Sequence, residues 1–410
     1  MARYDAIVIG AGAAGLMAAG RAAQLGKNVL LLEKNDRPAR KLMITGKGRC
    51  NVTNNCAEDA FITRVKTNGR FLYSAISAFP PRETIAFFEG RGLHLKTERG
   101  NRVFPVSDKA VDVVDSLVAF VKEEGVRLQK GTVKSLMLVD GTVCGVVLDD
   151  GTQIESGAVV IATGGLSYPL TGSTGDGYRL ARQAGHAVID PTPSLVPIVA
   201  EEGWCKDLMG LSLKNVTLSV HEKGKPKPVF CELGEMLFTH FGVSGPLVLS
   251  ASSLMDAHRI SDYTLSIDLK PALSAEQLDK RLQRDFSINL NKDFINSLGD
   301  LLPKKLIPVI VYLCGIPPET KVNQLTREMR KALADTVKSL RVTPKAFRPI
   351  EEAIITCGGV KVSEISPKTM QSKLYEGLYF AGEVIDVDAY TGGYNLQIAF
   401  CTGFLAGQNV

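Results

Sequence analysis

Short, unbroken apolar runs alternate along this chain with glycine clusters and amphipathic stretches. Residues 5–9 (DAIVI) read as a strand buried on both faces, since parallel strands covered by helices show continuous rather than alternating hydrophobicity. The glycine-rich hexapeptide 10–15 (GAGAAG) follows, and residues 16–25, rich in Ala and Leu, predict a helix that can lie close to a sheet. Gly26 stops it in the C′ position, where a left-handed residue is favoured. Residues 28–32 (NVLLL) form a second strand ending at Glu33, which completes a βαβ unit.

The pattern continues with helices over 82–92 and 109–125 and a hairpin of 136–139 with 142–148 turning at Asp140-Gly141. A further buried strand, 158–162, runs into Thr163-Gly164-Gly165. Residues 41–54 show no period and are polar and glycine-bearing, which predicts a functional loop. After Asp190 the character changes. Pro191, Pro193 and Pro197 mark a boundary, and 213–220 and 263–269 alternate as antiparallel strands with one wet face. From Ser274 to about Leu340 the pattern is helical and charged. Thr356-Cys357-Gly358-Gly359 returns to glycine-rich chemistry, 378–381 is a short strand leading to Gly382-Glu383, and 394–408 reads as a closing helix. The predicted class is α/β. A Rossmann-type domain of residues 1–190 and 355–410 is interrupted by a β-rich insertion, 191–272 with 341–354, and a helical subdomain, 273–340.

The 410 residues suit two or three domains, and 45% hydrophobic content suits a real core. With 48 basic and 43 acidic residues the net charge is only +5, and no long basic block appears, so no nucleic-acid partner is expected. The eight cysteines form no CxxC pair and no Cys/His cluster with zinc spacing, which points to reduced thiols, no metal and a cytoplasmic setting. No apolar stretch is long enough to span a bilayer, so no membrane association is expected.

Three glycine-centred segments carry the candidate chemistry. In Gly10-x-Gly12-x-x-Gly15 the first glycine permits the tight turn, the second lets backbone meet a diphosphate, and the third lets helix pack on sheet. The diphosphate then rests on free N–H groups at the positive helix end. Glu33, 18 residues past Gly15, is placed to bind ribose hydroxyls. At the other end, Gly382, Glu383 and Asp386 form an acidic turn after a strand; this stretch resembles the late motif of two-dinucleotide-binding-domain flavoproteins, which implies an acid, here Asp386, at the ribityl chain or diphosphate. Gly393, Tyr394, Asn395 and Leu396 open the closing helix, where N–H groups can face a flavin edge. The third segment is Ala162-Thr163-Gly164-Gly165, a strand end of the kind found beside FAD. Asp176, in 172–177 (GSTGDG), either touches the flavin side or caps the next helix. Gly48, Arg49, Cys50 and Asn51 belong to a loop wrapping the cofactor; Cys50 is either redox-active or a small packed residue. Arg40 and Lys41 reach the diphosphate or are surface charges. His240 is an acid or base, or a packing residue. Phe238, Phe241, Tyr168 and Tyr390 join it as candidate cavity liners. Catalytic assignments stay open, with His240, Tyr390 and Cys50 the candidates.

GxGxxG, residues 41–54, GSTGDG, 237–246 (LFTHFGVSGP), 356–360 (TCGGV) and 382–397 together resemble one bacterial flavoprotein family. It is the YhiN-like family, which includes aminoacetone oxidase and BaiN-type bile-acid Δ4,6-reductases. ATGG and TGDG give a more distant likeness to fumarate-reductase-type flavoproteins. The resemblance implies non-covalent FAD, a three-part architecture and a β-barrel-like insertion. It places adenosine near Gly10, Gly12, Ala14 and Glu33, with Val133 holding adenine through its backbone; Lys34, next to Glu33, is a further candidate for cofactor binding. It places the flavin near Arg40, Lys41, Arg49, Cys50, Gly382, Asp386, Asn395 and Leu396. The implied function is that of an FAD oxidoreductase acting on a small molecule. The first reaction expected is reduction by NAD(P)H of a C=C bond conjugated to a carbonyl; the alternative is amine oxidation with peroxide release. A flavin-containing binding protein is the distant third reading.

Overall fold

The first apolar run forms strand Tyr4–Ile9, buried except at Asp5, in a computed structural model that describes residues 3–410. Val29–Glu33 pairs with it on one side and Gln153–Ile161 on the other, all parallel, with Ala6 opposite both Val29 and Ala158. Arg127–Lys130 and Leu378–Phe380 extend the parallel sheet outward. The chain steps from Tyr4–Ile9 to one neighbour, then returns to the opposite side. That reversal opens a crevice at the carboxyl ends of Tyr4–Ile9 and Gln153–Ile161, the place where open α/β sheets bind ligands. The chain divides into two units, Met1–Ser194 with Ile350–Val410, and Leu195–Pro349, so the parallel sheet takes strands from both ends of the sequence.

Helix Ala13–Gln24 begins before Gly15 rather than at Leu16, so the third glycine lies inside the helix. It meets the closing helix, Tyr394–Asn409, backbone against backbone. A Cβ on Gly403 would lie 2.3 Å from the Ala14 carbonyl oxygen, and one on Gly407 would lie 2.3 Å from that of Ala18. The fully buried Gln397 fastens the same helix further. Its Oε1 accepts from Thr53 Oγ1 at 2.6 Å and Thr84 Oγ1 at 2.8 Å, and its Nε2 donates to Phe79 O at 2.8 Å. A buried amide so satisfied specifies one arrangement of its neighbours.

Residues 41–54 are more ordered than their pattern implied. They hold the end of a one-turn helix, Arg40–Ile44, a 3-10 turn, Thr45–Gly48, and a short strand, Thr53–Asn54. The segment carries no period because each piece is too short to show one. Gly46 and Lys47 take left-handed backbone inside it, with φ of 56° and 59°.

In Leu195–Pro349, seven antiparallel strands form one sheet. Its two edge strands, Leu340–Val342 and Pro344–Phe347, are consecutive in the chain with only Thr343 between them. The sheet therefore curls until its edges adjoin, which gives the insertion its barrel-like form. Helices Ala275–Ser287, Ile307–Cys314 and Arg327–Lys338 share one apolar cluster with this sheet. The first is started by a capping box, with Gln277 N donating to Ser274 Oγ at 3.1 Å and Ser274 N to Gln277 Oε1 at 2.9 Å.

The helix contact makes a stability prediction. Gly403→Ala forces a methyl onto a backbone oxygen and should lower unfolding free energy by about 1–3 kcal/mol. Gly157→Ala, whose Cβ would meet only Asp5 O at 3.6 Å, should change it by no more than about 0.5 kcal/mol. Denaturant titration of the two variants checks the contrast.

Candidate functional site

The crevice starts at the glycine turn. Gly10 has φ of 97°, and its Cβ would sit 2.7 Å from Ala162 O; a Cβ on Gly15 would sit 1.8 Å from Gly10 O. Those two glycines are required by the protein itself. Gly12 differs, because a Cβ there would meet nothing within 4 Å. The open space lies at the start of Ala13–Gln24, whose Gly12 N-cap supplies no side chain and whose first turn holds no acidic residue. The first N–H groups of that helix are left to an anion. Glu33 stands at the end of its strand beside the turn, accepting from Ala11 N and Asn35 N, both at 2.9 Å, and from Asn35 Nδ2 at 2.8 Å. Lys34 reaches Asp176 Oδ2 at 2.6 Å, and Asp176 is the first residue of helix Asp176–Gln183 with Gly175 as N-cap. Asp176 thus pairs with Lys34 rather than capping.

A second cluster joins four distant segments. Lys41 Nζ donates to Ser167 Oγ and to Glu383 Oε2, each at 2.6 Å. Glu383 Oε1 accepts from Thr356 N at 2.9 Å and Ser167 Oγ at 3.0 Å, and Thr356 Oγ1 accepts from Leu166 N at 2.8 Å. Gly382 precedes Glu383 with φ of 76°, and its Cβ would sit 2.8 Å from Ala14 Cβ, so this cluster adjoins the first helix. Thr163 Oγ1, at the end of the central strand, is buried without a hydrogen-bond partner among the described residues. Asp386 lies apart from the lysine. Asn68 Nδ2 donates to its Oδ2 at 2.9 Å, and burial holds its carboxyl above the usual range. The acid joined to Lys41 is Glu383, and Asp386 instead anchors Asn68.

The closing helix also starts without a side-chain cap or an acid in its first turn. Its N-cap, Gly393, has φ of 95°, and a Cβ there would sit 2.3 Å from Thr53 O. Asn51 Oδ1, in the orientation its neighbours require, accepts from Gly393 N at 3.0 Å, and Asn54 Nδ2 donates to Gly392 O at 3.0 Å. Asn395 folds back on Ala389, accepting from its N at 2.9 Å and donating to its O at 2.8 Å. Tyr394 is buried against the Phe61 ring, and Leu396 packs at the edge of the core.

The chain matches the model for the HI0933-like protein Rossmann domain over residues 4–409. It belongs to the HI0933-like family. It is 34% identical to a ribosomal RNA dihydrouridine synthase of Escherichia coli, covering 100% of this chain and 98% of that protein. It is 31% identical to a 3-dehydro-bile acid delta(4,6)-reductase of Clostridium scindens, covering 98% and 97%. A ribosomal RNA dihydrouridine synthase of Haemophilus influenzae is also 31% identical, over 100% and 99%. Among solved structures, the fold matches a 3-ketosteroid delta1-dehydrogenase from Sterolibacterium denitrificans with a TM-score of 0.52 at 14% identity, covering 99% of each chain. A flavocytochrome c3 fumarate reductase matches with a TM-score of 0.50 at 17% identity, covering 99% of this chain and 78% of that one.

The cofactor of this HI0933-like protein is FAD, and the protein is an FAD-dependent oxidoreductase. The residues fit that group: an uncapped helix end with open space at Gly12, an acid at Glu33, and a second uncapped helix end at Gly393. Arg49 pairs with Glu98 and Asp108 and lies over the Phe104 ring at 4.2 Å, while Arg40 donates to Asn35 Oδ1 at 3.1 Å. Gly48 closes the 3-10 turn just before Arg49. Gly164 takes φ of 74° beside Ser173. The Val133 carbonyl accepts from Arg179 Nη2 at 2.9 Å. Cys50 is fully buried, and burial pushes its thiol up to about 12, so it stays protonated and inert. His240 is exposed at the turn between Phe230–Thr239 and Gly242–Ser244, in the other unit. Tyr390 is half-buried in the loop before Gly393. Ser167 and Thr356 were given no site role from the sequence, because polar groups drawn from both ends of the chain leave no spacing to read.

Two outcomes follow. Gly12→Leu should fold normally but lose FAD affinity by about tenfold or more, since its side chain fills only the ligand's space; melting temperature and flavin absorbance separate the two effects. Iodoacetamide at pH 8 should leave Cys50 unmodified in the folded protein and label it after denaturation, as read by peptide mass.

Proposed function

We propose that this HI0933-like flavoprotein uses NAD(P)H to reduce a carbon–carbon double bond conjugated to a carbonyl, and that its substrate is a uridine of ribosomal RNA. The full-length match to two enzymes named as ribosomal RNA dihydrouridine synthases carries the reading. The bile-acid reductase supports the reaction class, because both names describe saturation of a bond next to a carbonyl: the uracil 5,6-bond in one, a 3-oxo steroid's conjugated bonds in the other. The mild total charge weighed against nucleic acid. Its distribution weighs less, since Leu195–Pro349 holds 21 basic and 17 acidic residues and hence four of the five net positive charges. Phosphate binding draws on such charge.

Bound FAD supplies hydride transfer, and the chain supplies binding, orientation and electrostatics. The N–H groups of Ala13 and Ala14 would hold the diphosphate and Glu33 the adenosine ribose. Glu383, fixed by Lys41, Ser167 and Thr356, would orient the ribityl side. The positive end of the closing helix would favour negative charge on the reduced ring by about 0.3–1 kcal/mol. A small-molecule enone is the second reading, favoured by the 31% identity to the bile-acid reductase.

Incubating holoprotein anaerobically with NADH or NADPH and unmodified ribosomal RNA should bleach the flavin band and yield dihydrouridine, detected by nucleoside mass spectrometry as a gain of two hydrogens. Turnover of a dienone bile acid with no dihydrouridine selects the second reading. Peroxide release from small amines without nicotinamide overturns both.

A further inference from the structure

Helix Ala275–Ser287, in the inserted unit, carries a stripe of hydrogen-bond donors that its own fold does not use up. Gln277, Lys280, Arg281 and Arg284 recur at steps of three and four, so they share one face of the helix. Together with Leu273 they line an open groove of about 550 Å³. Three of these five lining residues are cations, and none is an acid. The nearby carboxylates are engaged already. Asp279 Oδ1 accepts from Arg330 Nε at 2.6 Å, on helix Arg327–Lys338. Asp285 serves two guanidinium groups at once: its Oδ2 accepts from Arg281 Nε at 3.3 Å and its Oδ1 from Arg284 Nη2 at 3.2 Å. Lys280 has no acidic partner among the described residues. Gln277 turns its Oε1 back to Ser274 N at 2.9 Å, which leaves its amide N–H groups without an acceptor among the described residues. Arg281 Nη2 donates to Asp300 O at 2.8 Å, which fixes the middle of the stripe. Burial, and then the charge of Arg281, hold the Lys270 ammonium below its usual range, as expected where positive charge is left unneutralised.

Charged N–H donors without a facing acid suit phosphate oxygens. From Gln277 to Arg284 the stripe extends about 10 Å along the helix axis, longer than one phosphate group and suited to a chain of them. We propose that this groove grips the phosphate backbone of ribosomal RNA. The inference rests on the ribosomal RNA reading above and adds the surface that holds such a substrate. Phosphate contacts carry no base information, so the groove supplies affinity and leaves the choice of uridine to other groups.

The test compares FAD-loaded protein carrying Lys280→Ala with Arg284→Ala, both at exposed positions, against Lys227→Ala, an exposed cation elsewhere in the same unit. Binding of a fluorescent ribosomal RNA fragment and of a scrambled RNA is followed by anisotropy from about 50 to 200 mM salt. The double variant should bind both RNAs about tenfold more weakly at the lower salt, and its slope of log affinity against log salt should fall by about 1–2. Arg284→Lys, which keeps the charge, should stay within about threefold of the unaltered protein. Lys227→Ala should leave affinity and slope as they are. Melting temperature and bound-flavin absorbance establish that each variant is folded. Unchanged affinity and slope in the double variant overturn the groove, and so does an equal loss in Lys227→Ala, which marks general charge attraction; dihydrouridine formed by the unaltered protein then still supports the reaction. RNA binding by the unaltered protein without dihydrouridine counts against the reaction, while the slopes still decide the groove. No RNA binding by the unaltered protein removes both.

Discussion

The carbonyl oxygens of Ala14 and Ala18 occupy the space that side chains at residues 403 and 407 would need. Only glycine at both positions lets the last helix lie on the first, and that contact sets where the chain's far end returns. The closing helix then brings its own N-terminus beside the segment 51–54, where Thr53 O closes on Gly393. Gln397, satisfied by Thr53, Thr84 and Phe79, removes the freedom that remains. Two helix N-termini without caps and without first-turn acids thus belong to one unit, each with donors to spare. An anionic, two-ended dinucleotide is the ligand such an arrangement suits.

Charge within the unit is arranged to match. Lys41 is held by Ser167 and Glu383, and Glu383 by a backbone N–H and a hydroxyl, so neither partner of this partly buried pair stands alone. A buried ion pair contributes little net stability once desolvation is counted, yet loss of one partner is costly. The pair therefore reads as a device for position rather than for stability. Four segments distant in sequence meet there through shared hydrogen bonds.

The likeness to steroid dehydrogenases and fumarate reductases is one of fold, and fold alone hosts many chemistries. Within the HI0933-like family, the relatives at 31–34% identity carry names for two substrates of very different size, an RNA and a bile acid. Both contain a double bond polarised by a carbonyl.

Local patterns in the sequence were sufficient for the first βαβ unit, the turn and packing glycines Gly10 and Gly15, the place of Glu33 at its strand end and the closing helix, because each rests on neighbours within a few turns. The continuous run in 5–9 marks a strand covered on both faces, and Gly10, Gly12 and Gly15 mark backbone that must turn, open and pack. The same logic missed the order in residues 41–54, whose helix, turn and strand are each shorter than any period, and it left the Lys41–Glu383 pair unread. Only the tertiary structure decided which acid meets the lysine, that Arg49 is spent on Glu98 and Asp108, and that Cys50 lies out of reach of solvent. Those outcomes depend on groups brought together across separations from 49 to 342 residues, and a hydrogen bond between such groups leaves no trace in the spacing of either one.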